Sequence, residues 1–429
     1  MRPSFFYGYV ILALCFFNMF FMRGIIGSFG VFYVALLEDF AWSSGTIASI
    51  ASVNALVYAL SSPLVGWAFD RLGPRILMPL GGGLMGIGLF LAGTSDSLWE
   101  LYLYYGVVFG MGVGGLGFVS NSALISHWFR RRRGVAIGLA TMGLGLGILI
   151  LVPLTQILIS EYGWRSAFMI LAGLILCTSV PINALFQRRY PEEMGQIPDG
   201  HATQSEDYSG EFPKRPLGTR QWTLKDALRS YPYWSITGGH LVLGAGLSML
   251  YTHLVAYLVN EGIDKLTAAF ILGLVGLTRI PGTILWGLVS DRLGRDKAYA
   301  IATFLTLAGI VCLIKLNSST SHWYIYTFAI LFGVGHSAGN LTYGSTIADI
   351  FGGSTVGTIL GFLEISFGMG MAFGPWFGGF IYDITGSYRW AFLFALLTFL
   401  TSYLAVYAAL SWHYRELAKR KGDLPSRDL

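Results

Sequence analysis

Apolar residues run through this chain in long blocks separated by short charged or turn-rich breaks, without the period-two alternation of a half-buried strand. Such blocks read as helices immersed in lipid. They predict helices at roughly 8–37, 44–68, 75–95, 99–127, 133–158 and 165–187, and a second set at about 232–260, 266–289, 297–316, 322–347, 355–382 and 387–412. At about 1.5 Å per residue, each suits a hydrocarbon core about 30 Å thick. The interval between the sets carries Pro191, Glu192, Glu193, Pro198, Asp199, Pro213, Lys214, Arg215 and Pro216 and is the one long polar stretch. The expected organisation is an N-terminal six-helix bundle over 1–187, a linker over 188–231, a C-terminal six-helix bundle over 232–412 and a tail over 413–429. The expected fold class is all-α and polytopic, with twelve transmembrane helices in two pseudo-symmetric halves.

Composition removes the competing classes. In 429 residues, 54% are hydrophobic and 12% charged, with mean hydropathy +0.60, which does not fit a soluble, disordered or fibrous chain. A formal charge of +5 could suggest nucleic acid, but the cations are distributed as in a membrane protein. Arg2, Arg71, Arg75, Arg130 to Arg133, seven linker cations, Arg292, Arg295, Lys297 and five tail cations make 22 of the 28 Lys and Arg residues. They fall on one side if both termini and the linker are cytoplasmic, as the positive-inside rule requires. Arg2 alone precedes an apolar stretch reaching about Leu37, too long for a signal-peptide core, so this is read as the first span. Cys15, Cys177 and Cys312 lie in apolar stretches and offer no metal spacing, and no cofactor is expected.

The two halves share a local pattern. Gly66, Asp70, Arg71 and Gly73 after the second helix correspond to Gly287, Asp291, Arg292 and Gly294 after the eighth, each set forming a G-x-x-x-D-R-x-G turn. Two copies at matched positions indicate an internal duplication. The Asp suits a helix N-terminus and the Arg a lipid phosphate or the partner half, an arrangement able to break and reform.

This duplicated turn resembles the loop signature of the major facilitator superfamily of transporters. Trp128-Phe129-Arg130-Arg131-Arg132-Arg133-Gly134-Val135-Ala136-Ile137-Gly138-Leu139-Ala140-Thr141-Met142-Gly143 is similar to the monocarboxylate transporter signature at the start of helix 5, with Val135 in place of Leu and Met142 in place of Ala. The acidic signature of animal members in helix 1 is absent; Arg23-Gly24 and Gly27-Ser28-Phe29-Gly30 stand in that region. The departure points to the bacterial monocarboxylate and oxalate/formate-type branch, as do Pro191-Glu192-Glu193-Met194-Gly195 and Tyr382-Asp383-Ile384-Thr385-Gly386. The resemblance implies a major facilitator fold and a bacterial cytoplasmic (inner) membrane. It also implies a functional monomer and a carboxylate-binding role for Arg279, in the position of the helix 8 arginine of monocarboxylate and oxalate carriers.

Ionisable groups inside lipid cost about 3 kcal/mol or more unless paired or wet, which makes each a functional candidate. Three stand out: Arg23, Arg279 and Glu364, about 22, 20 and 14 Å along their helices. Two cations and one carboxylate leave one positive charge, the complement of a single carboxylate anion held by a guanidinium fork. Each also has a structural alternative: an inter-helix pair for Arg279, pairing or snorkelling for Arg23, and an arginine or backbone partner for Glu364 in place of proton coupling. His253, near Tyr251 and Tyr257, fits substrate donation, proton carriage or a satisfied core. His240 and His336 are read as packing. Asn121 and Ser122 in helix 4, and Asn54 and Tyr58 in helix 2, fit either a polar cavity lining or inter-helix hydrogen bonding.

Some motifs carry nothing. Gly335-His336-Ser337-Ala338-Gly339 matches G-x-S-x-G inside an apolar helix rather than at a strand-turn-helix elbow. The G-x-G-x-x-G runs at 81–86 and 112–117 lack a βαβ unit around them and read as helix-packing surfaces. The expected function is proton-coupled symport of a short monocarboxylate of the lactate, pyruvate or formate class by alternating access. An exchanger of dicarboxylates such as oxalate and a non-transporting organic-acid sensor are the alternatives, and an enzyme is not expected.

Overall fold

The computed structural model describes residues 5–40, 42–200, 222–316, 323–351 and 356–422. Linker residues 201–221 and the end of the tail lie outside them. The described residues contain helices and no strand. Helix α1 is Gly8–Asp39, α2 Ser44–Leu72, α3 Pro74–Ala92 and α4 Leu98–Trp128. Arg133–Phe186 runs on as helix through Gly163, whose φ of 78° is non-helical, giving arms α5 (133–162) and α6 (164–186). Then come α7 Tyr231–Asn260, α8 Lys265–Leu293, α9 Arg295–Ile314, α10 (323–351), α11 Val356–Thr385 and α12 Tyr388–Gly422.

Among the described residues ten helices are long and apolar enough to cross a membrane, against twelve expected. Two causes account for the difference. The turn between α5 and α6 is a single glycine, so helix continues through it. In α10, Ser337 splits the segment into Trp323–His336 and Ala338–Phe351, each of 14 residues and too short to span alone.

The internal duplication is visible in local geometry. Helices α2 and α8 are each 29 residues, each N-capped by a side chain, Ser43 onto Thr46 N–H and Asp264 onto Thr267 N–H, and each contains one proline, Pro63 or Pro281. The Thr267 hydroxyl and backbone N–H hold the Asp264 carboxyl below its usual range. Both helices end at a glycine of positive φ, 73° at Gly73 and 92° at Gly294, a conformation that favours glycine over residues with a Cβ. Glycine seams repeat as well. A Cβ on Gly24 would stand 2.6 Å from the Gly147 carbonyl oxygen between α1 and α5, and glycines 244, 370 and 374 bring α7 equally close to α11. In lipid, where apolar burial does not drive association, such close backbone approach supplies dispersion contact.

The two halves meet through α1 against α7, α2 against α11 and α5 against α8. The α5–α8 crossing brings Gly145 and Gly276 within contact of each other's backbone, and the α2–α11 crossing does the same for Gly45 and Gly379.

Candidate functional site

Where α1, α2, α7, α8, α10 and α11 pass one another, the structure gathers Arg23, Tyr58, Tyr251, Arg279, His336 and Glu364. The Arg23 guanidinium carbon lies 4.9 Å from the Tyr251 ring centroid, a cation–π contact between the halves. The Tyr251 hydroxyl is 3.2 Å from His336 Nε2, and His336 Nδ1 is 2.7 Å from the Phe332 carbonyl oxygen. Arg279 lies within electrostatic reach of Tyr251 and Arg23, and His336 within reach of both guanidiniums. Tyr58 lies within reach of Arg23 and Glu364.

The helices place these groups for local reasons. On α11, Gly368 rests against Ala59 of α2, and Glu364 one turn earlier shares that face, exposed beside Tyr58. The break in α10 at Ser337 frees backbone carbonyls, and Trp286 Nε1 donates to the Val334 oxygen at 2.8 Å. Gly282 admits this close approach, since a Cβ there would stand 2.9 Å from Val334 backbone. Helix α8 is thereby locked to α10 three residues from Arg279, and His336 is held at the last position before the break.

Among the described residues neither Arg23 nor Arg279 joins an ion pair, and Arg23 Nε is buried without a hydrogen-bond acceptor. Glu364 forms no ion pair with either. Two half-buried cations within electrostatic reach of each other, with no carboxylate paired to them among the described residues, give this region a positive potential that attracts anions.

Three other residues singled out from the sequence are not brought to this cluster. Asn121 is fully buried; its amide donates to the Leu116 and Gly117 carbonyls at 2.8 Å, freed by a break in α4, and its oxygen accepts from Asn18. Asn18 in turn exchanges hydrogen bonds with Asn183 at 3.0 and 2.7 Å, tying α1, α4 and α6. Asn54 donates to the Tyr105 carbonyl at 3.1 Å, within a π-helical stretch of α4 at Tyr102–Phe109. His253 is fully buried between α7 and α11, with Nε2 2.8 Å from the Pro375 carbonyl oxygen, Tyr33 and Tyr388 against its ring and Nδ1 unpartnered. His240 packs as expected, stacked on Tyr343 and Phe367. His336 also packs, stacked on Phe332, but together with Tyr251, which the sequence marks only as a neighbour of His253, it stands in the cluster around the two arginines.

The Asp-Arg turns work within each half. Asp70 is met by Arg189 from beyond α6, 3.7 Å away, while Arg71 lies over Trp67. Asp291 is 3.8 Å from Arg295, which also reaches Asp349 at 3.0 Å and Ser290 at 3.0 Å. Arg71 and Arg292 stay at the surface, and a Cβ on Gly66 or Gly287 would touch nothing within 4 Å.

The family model described as Major Facilitator Superfamily matches residues 12–288 and 240–428. The chain is 28% identical to monocarboxylate transporter 13 of Bos taurus, over 91% of this chain and 86% of that protein. It is 28% identical to monocarboxylate transporter 12 of Homo sapiens over 96% and 81% of the two chains, and 26% identical to monocarboxylate transporter 4 of Mus musculus over 93% and 82%. These three are vertebrate proteins, whereas the departure in helix 1 led to the expectation of a bacterial branch. Among solved structures, a bacterial homologue of the human lysosomal transporter Spinster, crystallised inward-facing and unoccupied, matches 100% of both chains with TM-score 0.65 and 17% identity, a likeness of fold.

Proposed function

This chain belongs to the Major Facilitator Superfamily, a family of transporters rather than enzymes, and we propose that it carries a short monocarboxylate together with a proton by alternating access. One observation carries the reading: Arg279 and Arg23 lie within electrostatic reach of each other, and among the described residues neither is paired with a carboxylate. An anionic guest supplies the missing charge. Its carboxylate would take the Arg279 fork in bidentate fashion, with Arg23 as the second cation and Tyr58 as a polar wall. Glu364, exposed on α11 near Tyr58, is the proton-coupling candidate: protonated, it would remove a negative charge from this cluster. The printed names of the relatives support the same substrate class.

Twelve spans in two six-helix halves, 1–187 and 232–412, would rock about this site, with a monomer as the working unit. The Lys and Arg surplus supports placing the Asp70 end, the linker and both termini on the cytoplasmic side, and the resemblance drawn from helix 1 would make the membrane a bacterial inner membrane. On that assignment the end at which polar contacts join the halves, Asp383 to Ser44 and Lys265 to Glu38, is the one away from the cytoplasm.

Uptake of labelled lactate, formate and oxalate into proteoliposomes, with and without an uncoupler, tests the reading. Lactate uptake should follow the proton gradient, and Arg279→Ala should weaken it by at least about thirtyfold, as expected when one partner of a buried charge pair is removed. Retained saturable uptake by Arg279→Ala overturns the role of Arg279. The proximity of Arg23 to Arg279 also favours a second reading, a dianion held between both guanidiniums. Dicarboxylate-for-dicarboxylate exchange indifferent to the proton gradient would select it.

A further inference from the structure

The guest held by the arginines meets one further group whose hydrogen-bonding direction is set by its neighbours. His336 Nδ1 lies 2.7 Å from the Phe332 carbonyl oxygen, and a carbonyl only accepts, so the proton of the neutral imidazole sits on Nδ1. Nε2 is then an acceptor, and the Tyr251 hydroxyl 3.2 Å away donates to it. The single hydroxyl hydrogen of Tyr251 is thereby committed. Its oxygen keeps only lone pairs, and toward any third group Tyr251 acts as an acceptor.

Neither ring is free to exchange roles. The His336 ring stacks on Phe332 with centroids 4.7 Å apart, at the last helical position before the α10 break. Tyr251 is 7% exposed, roofed by the Arg23 guanidinium, and its backbone is pressed against α1, where a Cβ on Gly30 would stand 3.0 Å from its carbonyl oxygen. Tyr251 lies under the Arg23 guanidinium and within electrostatic reach of Arg279, so it borders the two cations that would hold the carboxylate.

We propose that Tyr251, oriented by His336, is a specificity residue that makes this site select 2-hydroxy acids over 2-oxo acids and over unsubstituted short acids. The hydroxyl on the carbon next to the carboxylate donates to the Tyr251 oxygen. A 2-oxo oxygen in that place opposes one acceptor to another, and a plain methylene leaves the phenol oxygen without a donor. A site built to bond a substrate hydroxyl discriminates strongly against analogues lacking it, because its own polar group is then left unpaired. The proposal rests on the carboxylate reading above and deepens it.

The full chain in proteoliposomes tests it, with saturable uptake of labelled lactate, pyruvate and propionate measured separately. Half-saturation for lactate should lie about tenfold below that for pyruvate and propionate, the value of one hydrogen bond to an otherwise unpaired group. Tyr251→Phe should abolish the preference, because it removes the acceptor that lactate uses and the unpaired oxygen that penalises the other two, bringing the three half-saturation values within about threefold of one another; saturable uptake of propionate by the variant shows that it is assembled. His336→Phe removes the acceptor of the phenol proton, frees Tyr251 to donate, and should move the lactate-to-pyruvate ratio toward pyruvate. Equal handling of all three acids by the wild type, or equal weakening of all three by Tyr251→Phe, overturns the proposal while leaving the carboxylate reading intact. Saturable uptake of none of the three by the wild type overturns both. If Tyr251→Phe fails to assemble, the wild-type ranking and the His336→Phe ratio still decide.

Discussion

The two ends of the bundle use the same kinds of residue for opposite purposes. At the end carrying Glu38, polar contacts join one half to the other. Asp383 of α11 accepts from the Ser44 and Gly45 N–H groups, both at 2.8 Å, and so caps the N-terminus of α2 from the partner half. Tyr33 meets Tyr388 at 3.0 Å, and Lys265 meets Glu38 at 2.7 Å. At the Asp70 end, the charged contacts of Asp70 and Asp291 stay inside their own halves. Glycines follow the same division: Gly45 and Gly379 touch across the halves, while Gly66 and Gly287 stand free. A carrier needs halves that stay rigid and an interface that releases. Here the releasable contacts are at one end and the bracing contacts at the other.

The steepest way to break this asymmetry is to make the Glu38 end unable to close. A Cβ on Gly379 would stand 2.6 Å from Gly45 backbone, and backbone cannot swing aside. Gly379→Leu should therefore disfavour the closed end by about 1–3 kcal/mol, a shift of roughly ten- to a hundredfold in population. Spin labels at the exposed positions Glu161 and Ile384, in a background free of native cysteines, read the change as a longer distance between the halves. An unchanged distance with intact transport would show that the glycine contact does not hold the end shut.

Next in size is the cap. The Asp383 carboxylate accepts two backbone N–H groups at a helix N-terminus, where charge-assisted bonds contribute about 1.5–3 kcal/mol. Asp383→Asn keeps the shape and removes the charge and one acceptor, so the same label pair should separate by a smaller population shift, about tenfold. If Asp383→Asn leaves the distance distribution untouched while Gly379→Leu opens it, closure rests on packing and the cap only follows.

These features are unevenly legible in the sequence, for physical reasons. Charges inside apolar runs were legible, because lipid makes each of them costly, and Arg23, Arg279 and Glu364 were located that way. Tyr251 and His336 were not, because amphipathic aromatic and imidazole side chains are ordinary in such runs and their pairing depends on how α7 crosses α10. His336 beside Ser337 in a glycine-rich run was the available signal, since small polar residues there permit the break that isolates the histidine. Asn121 shows the converse. Its polarity was visible, but the carbonyls that take it come from a break at Leu116–Gly117 that hydropathy cannot register. Hydropathy likewise predicts α10 as one helix, and it predicts a break between α5 and α6 that is a single-glycine turn at Gly163 with helix on both sides. The Asp-Arg turns were found by repetition, yet their partners, Arg189 and Asp349, come from elements far along the chain.

The smallest expected effect sharpens the contrast from the other end. Asp70 is largely exposed, at 79%, and its contact with Arg189 is long at 3.7 Å, so screening by water and salt leaves such a pair about 0–1 kcal/mol. Part of the link survives without the side chain, because Arg189 also donates to the Asp70 backbone oxygen at 2.7 Å. Asp70→Ala should accordingly lower thermal stability by only a few degrees at most and leave the Glu161–Ile384 distance unchanged, since the lost contact lies within one half. Arg189→Ala should cost more, because it also removes the contact to the Asp70 carbonyl and the cation–π contacts to Phe69 and Tyr190. Melting curves in detergent at low and high salt measure both variants, with the Asp70→Ala difference shrinking as salt rises. A widening at the Glu38 end in Asp70→Ala equal to that of Asp383→Asn would mean that the two ends are coupled through this turn. The division between bracing and releasable contacts would then fail.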